Sequence, residues 1–243
     1  MHDLKLTFIG SGNAFSPGGL CCNGFLVNDR ILFDSPPQAL SSLNKVGFDA
    51  NDLDAVIISH HHGDHFLGLP FLLLHWKYKG RQRPVRIVGP KNTESLARMI
   101  AENVFPGVFE LPFEIEWIEA QPNKPITFDC VELEPLLMQH DDRLAQSLGY
   151  AATISGRKFG YTGDTVLCDS VLQLARHSEV LVSECASVDQ RIPVHMNLVD
   201  DIPVVRSAMP PSSALLLTHI NNDVKADGIH NTRIAEDFAT YKF

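Results

Sequence analysis

The densest group of reactive side chains in this 243-residue chain is His60-His61-His62-Gly63-Asp64-His65. His60, His62, Asp64 and His65 are all metal-ligand types, because neutral imidazole and ionised carboxylate are good donors to zinc and related divalent metals. The residues before the run, 53–59, read as a buried strand, and Phe66 to Tyr78 is apolar and long enough for a helix. The histidines therefore stand where a strand gives way to a helix. In open α/β architectures, sites form beyond the carboxyl ends of strands. In extended chain His60 and His62 project to one side. Asp64 and His65, past the bend, are free to serve a second ion. A tag remnant would lie at a terminus, whereas this run is flanked by core-like sequence.

Three further residues share that placement. His140 ends the strand-like run Pro135-Leu136-Leu137-Met138-Gln139, Asp164 follows Tyr161-Thr162-Gly163, and His219 follows Leu215-Leu216-Leu217-Thr218. Singly, each such residue is more often a capping or hydrogen-bonded residue than a ligand. Together with the histidine run they would supply two three-residue sites and a bridging carboxylate, with room for a shared water as a catalytic centre requires.

The elements that must position these residues follow from periodicity and turn signals. Leu4, Leu6 and Phe8 alternate as a first strand, followed by a Gly- and Ser-rich loop from Gly10 to Gly19. Residues 24–27 and 31–33 flank Asn28-Asp29-Arg30 as a hairpin, closed by Asp34. Pro36 to Val46 reads as a short helix, Val85 to Val88 as a strand, and Thr93 to Asn103 as a helix. Residues 113–118 and 126–138 are strand-rich, and 150–154 with 158–161 form another hairpin. A helix is expected over 169–177, a strand over 180–183, a Pro203-containing helix over 197–208, and a last strand over 214–218. Hairpins come first and strands then alternate with helices, a pattern that repeats loosely in the second half. This predicts one domain over residues 1–243, an α/β fold with two packed sheets and outer helices.

Composition narrows the functions. Hydrophobic residues make up 44% of the chain, enough for a sizeable core, and the formal net charge is −9. That charge disfavours broad binding to a nucleic-acid backbone, yet two divalent metals would make a pocket locally positive for a small anionic substrate. The five cysteines form no regular framework, and Met1 to Lys5 shows no signal-peptide pattern. No apolar run reaches the ~20 residues of a membrane span. The expectation is a cytoplasmic protein with no membrane attachment.

With His60, His62, Asp64 and His65 as an H-x-H-x-D-H signature, the chain resembles the metallo-β-lactamase superfamily. Within it, the sequence is most similar to the ribonuclease Z and phosphodiesterase branch. The shared pieces are 59–65 with Gly68-Leu69-Pro70, then Gly160 to Thr165, Val182-Ser183-Glu184-Cys185, His195-Met196-Asn197 and Leu217-Thr218-His219, over nearly the whole chain. The resemblance implies an αββα four-layer sandwich with a dinuclear site at one sheet edge. It implies one metal on His60, His62 and His140, the other on Asp64, His65 and His219, and Asp164 bridging. Zinc is the default pair of ions, with Mn or Fe as alternatives. His195 matches the branch's histidine beside the scissile phosphate and Glu184 its supporting carboxylate, so His195, Glu184 and Asp64 form the expected catalytic set. In that chemistry a bridging hydroxide is the nucleophile, and a histidine near neutral pKa supplies the leaving group's proton. Asp34 matches a superfamily aspartate expected behind the ligands or as a turn cap.

The chain also departs from ribonuclease Z. Only residues 141–163 separate His140 from Asp164, with no basic Gly/Pro-rich arm of the kind that grips transfer RNA. Ile220-Asn221-Asn222-Asp223 stands where the family carries a Ser-Arg-Tyr-like tail. Transfer RNA is therefore not the expected partner, and a small cyclic phosphodiester is favoured as substrate. Lactonase, arylsulfatase, thioesterase or amidase activity, RNA processing without the arm, and a non-catalytic binding role remain as competing readings. A homodimer is compatible with the apolar helices.

Overall fold

The computed structural model describes residues 3–243. Fourteen strands form two seven-stranded sheets. The first contains β1 (Lys5–Gly10), β2 (Gly24–Val27), β3 (Ile31–Phe33), β4 (Ala55–Ile57), β5 (Val85–Gly89), β6 (Ile115–Glu119) and β14 (Thr240–Lys242), in the order β14-β1-β2-β3-β4-β5-β6. The second contains β7 (Ile126–Phe128), β8 (Val131–Leu137), β9 (Leu148–Ile154), β10 (Arg157–Tyr161), β11 (Val180–Glu184), β12 (Ala214–Thr218) and β13 (Thr232–Ile234), in the order β13-β12-β11-β10-β9-β8-β7. Strands β3 to β6 run parallel, as do β10 to β13.

Side chains alternate across a strand, so a strand buried on both faces feeds two cores. On β2 and β3, Phe25, Val27, Ile31 and Phe33 enter the core between the sheets, while Leu26 and Leu32 enter the core beneath the first helical layer. On β11 and β12, Val180, Val182 and Leu216 face the inter-sheet core, and Leu181, Leu215 and Leu217 face the second helical layer. Helices α1 (Ala39–Lys45), α3 (Leu69–Tyr78) and α4 (Thr93–Val104) cover the first sheet; α5 (Asp169–His177) and α6 (Ile202–Ala208) cover the second. The result is the αββα sandwich. The centre is aromatic: Phe25 stacks on Phe33 with ring centroids 5.2 Å apart, and Tyr161 meets Phe25 edge-on from the opposite sheet at 5.1 Å. Among the described residues no helix is long and apolar enough to cross a membrane.

Three expectations need correction. The helix expected over 66–78 is two, α2 (Gly63–Phe66) and α3, broken at Gly68. There the backbone passes so close to residues 35–36 that a Cβ would stand 2.0 Å from the Pro36 carbonyl oxygen. The helix expected from Asn197 begins at Ile202, with Pro203 in its first turn, where a missing N–H costs nothing. Finally, β12 is not the last strand, since β13 and β14 follow on opposite sheets.

Gly68 donates its N–H to Ser35 O at 2.8 Å, holding the α2–α3 break against the loop after β3. Gly68→Ala is expected to destabilise the fold by about 1–3 kcal/mol through overpacking. At this chain length that is a fall in Tm on the order of 2–12 °C, checked by thermal unfolding.

Candidate metal centre

β4, β8, β10, β11 and β12 all deliver their next residues to one edge of the sandwich. Ile58 N still pairs with Val88 O, so the chain leaves the first sheet only at Ser59 and places His60 in full burial. His62 stands in extended conformation at the start of α2, which turns Asp64 and His65 back towards His60. Their rings converge, with centroids 4.8 Å apart for His60 and His62 and 4.3 Å for His60 and His65. His61 points the other way, its Nε2 2.8 Å from Thr93 Oγ1. From the second sheet come His140 after β8, Asp164 after β10 and His219 after β12. His219 takes a left-handed backbone (φ 53°), rare for a non-glycine residue and concentrated at functional sites.

All seven sequence-selected ligand types therefore meet in two groups, His60-His62-His140-Asp164 and Asp64-His65-Asp164-His219, within which the ligand atoms lie no more than 4.8 Å apart. Asp164 Oδ2 is common to both. It lies 3.2 Å from His219 Nε2, 3.3 Å from His65 Nε2, 3.8 Å from His60 Nε2 and 4.0 Å from His140 Nε2.

The protonation pattern tests whether these residues fit cations. His140 Nδ1 lies 2.9 Å from the Val194 carbonyl oxygen, which can only accept, so the proton of neutral His140 is on Nδ1 and its Nε2 is a bare lone pair. His62 Nε2 faces an oxygen of Asp141 at 3.2 Å, which leaves His62 Nδ1 bare in the neutral ring. Ser59 Oγ gives its proton to Asp34 and so accepts from His60 Nδ1 at 3.0 Å, leaving His60 Nε2 bare. These three lone pairs point at one another, with His62 Nδ1 3.1 Å from both His60 Nε2 and His140 Nε2. Facing lone pairs repel; a shared cation makes them attractive. Tetrahedral zinc with bonds of ~2.0–2.1 Å sets its ligand atoms ~3.3 Å apart, close to this spacing.

The second group is equally cation-seeking. Burial opposes charge on His65, but Asp164, Asp64 and Asp34 outweigh it and hold its imidazole well above the ordinary range. Burial would raise Asp164, but His219 and His65 hold it well below the usual carboxylate range. His60 is driven well below the usual histidine range by burial and by His65. Strong negative potential beside neutral imidazoles is where a divalent ion competes best with protons. Buried His65 Nε2, Asp164 Oδ1 and His219 Nδ1 have no hydrogen-bond partner. The residues present thus fit divalent cations.

Behind the cluster, bonded to His65 directly and to His60 through Ser59, stands Asp34, fully buried. It accepts from Ser59 N at 2.7 Å, Ser59 Oγ at 2.9 Å, His65 Nδ1 at 2.8 Å and Tyr161 Oη at 2.6 Å. It supports the ligand cluster, as expected from sequence. Glu184, also buried, accepts from Thr165 N at 2.6 Å, Met196 N at 3.2 Å and His195 Nδ1 at 2.9 Å. Burial lowers the His195 pKa, but the Glu184 carboxylate outweighs that and lifts it to about 9. The His195 ring lies between the two groups, its centroid 5.0 Å from that of His140 and 5.1 Å from that of His219. Beside it opens a cleft of about 570 Å³ lined by Phe15, Ile192 and Val194 with Asn13 and Gln190. Sequence reasoning missed Asp141. Its only signal was its place directly after His140, since its partner His62 lies 79 positions away.

An αββα sandwich with a histidine-aspartate cluster at this edge defines a metal-dependent hydrolase of the metallo-β-lactamase superfamily, in the ribonuclease Z and phosphodiesterase branch. The profile described as anti-Pycsar protein Apyc1 matches residues 4–233, and the chain belongs to that family. Ribonuclease Z of Methanosarcina acetivorans is 22% identical over 239 residues, covering 77% of this chain and 76% of that protein. The metallo-β-lactamase-fold protein YhfI of Bacillus subtilis superposes with a TM-score of 0.81 at 22% identity, covering 100% of both chains. The short form of human tRNase Z superposes with a TM-score of 0.79 at 20% identity, covering 98% of each chain.

Removing Asp164, common to both groups, should cost more bound metal than removing a residue of one group. Asp164→Ala is expected to lose divalent metal from both halves and abolish activity, whereas His65→Ala loses chiefly one equivalent and also abolishes activity. Metal analysis of the purified variants, in equivalents per chain, checks this.

Proposed function

We propose that the chain acts as one domain, a dinuclear metal-dependent phosphodiesterase whose substrate is a small cyclic phosphodiester, such as a cyclic nucleotide or cyclic sugar phosphate. In this reading His60, His62 and His140 hold one cation, Asp64, His65 and His219 the other, and Asp164 bridges, with zinc the default metal. The observation that carries it is the His195–Glu184 pair beside both ligand groups. An acyl or sulfate ester with a good leaving group has less need of such a pair, whereas an alkoxide expelled from phosphorus needs a proton.

When bound, the cation pair supplies Lewis-acid charge on the phosphoryl group and makes water acidic enough to attack at neutral pH. The chain's own residues do the rest. Glu184 takes the Nδ1–H of His195, fixing the ring and favouring its imidazolium form. The remaining ring nitrogen, Nε2, gives its proton to the departing oxygen as the P–O bond breaks. Thr165 N and Met196 N hold the Glu184 carboxylate in place. The cleft of about 570 Å³ is within the range that suits a small ligand. The segment between His140 and Asp164 supports the same reading: it consists of a loop and the β9–β10 hairpin, turned at Ser155-Gly156. The relatives named ribonuclease Z and the structural neighbour described as a diphosphatase of the PhnP family act on phosphate esters or anhydrides by their names, which agrees with phosphorus chemistry here.

The first test is turnover of the metal-analysed protein on bis(p-nitrophenyl) phosphate, with p-nitrophenyl acetate, a lactone and p-nitrophenyl sulfate alongside. Diester cleavage lost to chelator and restored by Zn or Mn is the expected result, and activity confined to the acyl or sulfate substrates would overturn the proposal. His195→Ala should keep its metal. It should lose about 10²–10⁴-fold in turnover on diesters with alkoxide leaving groups and far less on p-nitrophenolate esters. Equal losses on both would remove the proton-donor role.

A further inference from the structure

Four of the cluster histidines have their outer nitrogen held by the chain, but not in the same way. His60 Nδ1 rests on Ser59 Oγ, His65 Nδ1 on Asp34, and His140 Nδ1 on a backbone carbonyl. Ser59 and Asp34 are buried within the sandwich. His62 differs. Its side chain is 34% exposed, and its outer nitrogen meets Asp141 Oδ2 at 3.2 Å, on the loop that joins β8 to β9. Asp141 is in turn gripped by Arg143. The guanidinium donates from Nε to Oδ1 at 2.7 Å and from Nη2 to Oδ2 at 2.6 Å, and the Arg143 backbone N–H adds a bond to Oδ1 at 3.0 Å. The Arg143 side chain is 85% exposed. A relay thus runs from solvent through Arg143 and Asp141 to the outer nitrogen of His62, and its inner nitrogen faces His60 and His140.

We propose that Asp141, oriented by Arg143, is the positioning residue for His62 and makes the His60-His62-His140 half of the centre the weaker, exchangeable half. The inference rests on the dinuclear reading above. A carboxylate on the far nitrogen of a ligating histidine fixes the tautomer and strengthens the lone pair, and losing such a partner typically costs ~10–100-fold in metal affinity. On the other half that partner is Asp34, saturated by four donors and inaccessible to water. On this half it is a carboxylate on a loop, its own side chain 9% exposed, held by the backbone N–H and the 85%-exposed guanidinium of Arg143. An ion pair with one partner in solvent and both on one loop contributes little to global stability and is screened by salt. The relay can therefore loosen without unfolding the protein, and its effect falls on one cation alone.

The experiment titrates zinc into the metal-stripped full chain against a chelating dye, comparing wild type with Asp141→Ala, Arg143→Ala and, as a control on the same loop, Asp142→Ala. Asp141→Ala is expected to weaken one of two equivalents by ~10–100-fold and to leave the other, and the Tm of the metal-free chain, unchanged. Arg143→Ala should weaken the same equivalent by less, and Asp142→Ala should match wild type. A second readout needs no metal: long-range ¹⁵N–¹H spectra of His62 should show the Nε2–H tautomer in wild type and a rise in Nδ1–H in Asp141→Ala. Equal weakening of both equivalents, no weakening of either, or an unchanged His62 tautomer would overturn the proposal. A wild-type chain that binds fewer than two cations would overturn the dinuclear reading instead, a result visible before any variant is compared.

Discussion

A carboxylate removed from water must be met by donors on every side, and the organisation of this molecule turns on one such group, Asp34. Its four donors come from Ser59 just beyond β4, from His65 on α2 and from Tyr161 at the end of β10 in the other sheet. Leaving a buried charge short of partners costs several kcal/mol. Satisfying it therefore fixes the spacing of the two sheets, the exit of the histidine run and the ring of His65 together. Asp34 itself adopts a left-handed backbone (φ 58°), so the chain accepts local strain to aim that carboxylate. The aromatic core between the sheets supplies the rigidity against which this network is set, with Tyr161 a member of both.

Much of this was legible from the chain because the signals are local. Hydrophobic runs ending in a ligand-type residue marked β4, β10 and β12, and the Asn28-Asp29 turn, both residues with positive φ, marked the β2–β3 hairpin. The seven ligand-type residues stand together in the structure because each follows a strand whose register sets its place. What was not legible is long-range or weakly patterned. The Gly68 break depends on a backbone approach from residues 35–36, and its local sign, a glycine two residues before Pro70, is lost within an otherwise continuous apolar run. β13 and β14 have three residues each, too short a run for their alternation to stand out as a strand. They exist because the sheet edges offer unpaired backbone groups. Asp141 was hidden in the same way, since its neighbours Asp142 and Arg143 make the segment read as an ordinary charged loop.

The electrostatics of the cluster also depend on context. The overall charge of −9 says nothing about where potential gathers. Asp34, Asp64 and Asp164 surround His65, and burial removes the water that would screen them. The same burial drives His60 neutral beside them. Identical imidazoles a few ångströms apart are thus pushed in opposite directions, His60 down by burial and by His65, and His65 up by the three carboxylates around it.

The closing strands have a consequence for how the chain reaches its native state. Thr240 pairs with Thr7, 233 positions earlier in sequence, and Asp237 accepts from Ser11 N, Ser11 Oγ and Cys21 N. The loop from Gly10 to Gly19, which carries Phe15 to the cleft, is therefore anchored by a residue more than 200 positions further along the chain. Loops this long close slowly, because the entropy of bringing distant segments together is lost before their contacts form. During synthesis every residue of the His/Asp cluster emerges before the strand that completes the first sheet's edge. Ordering of this cleft wall is thus tied to contacts between segments far apart in sequence, which can form only after the cluster residues have been made.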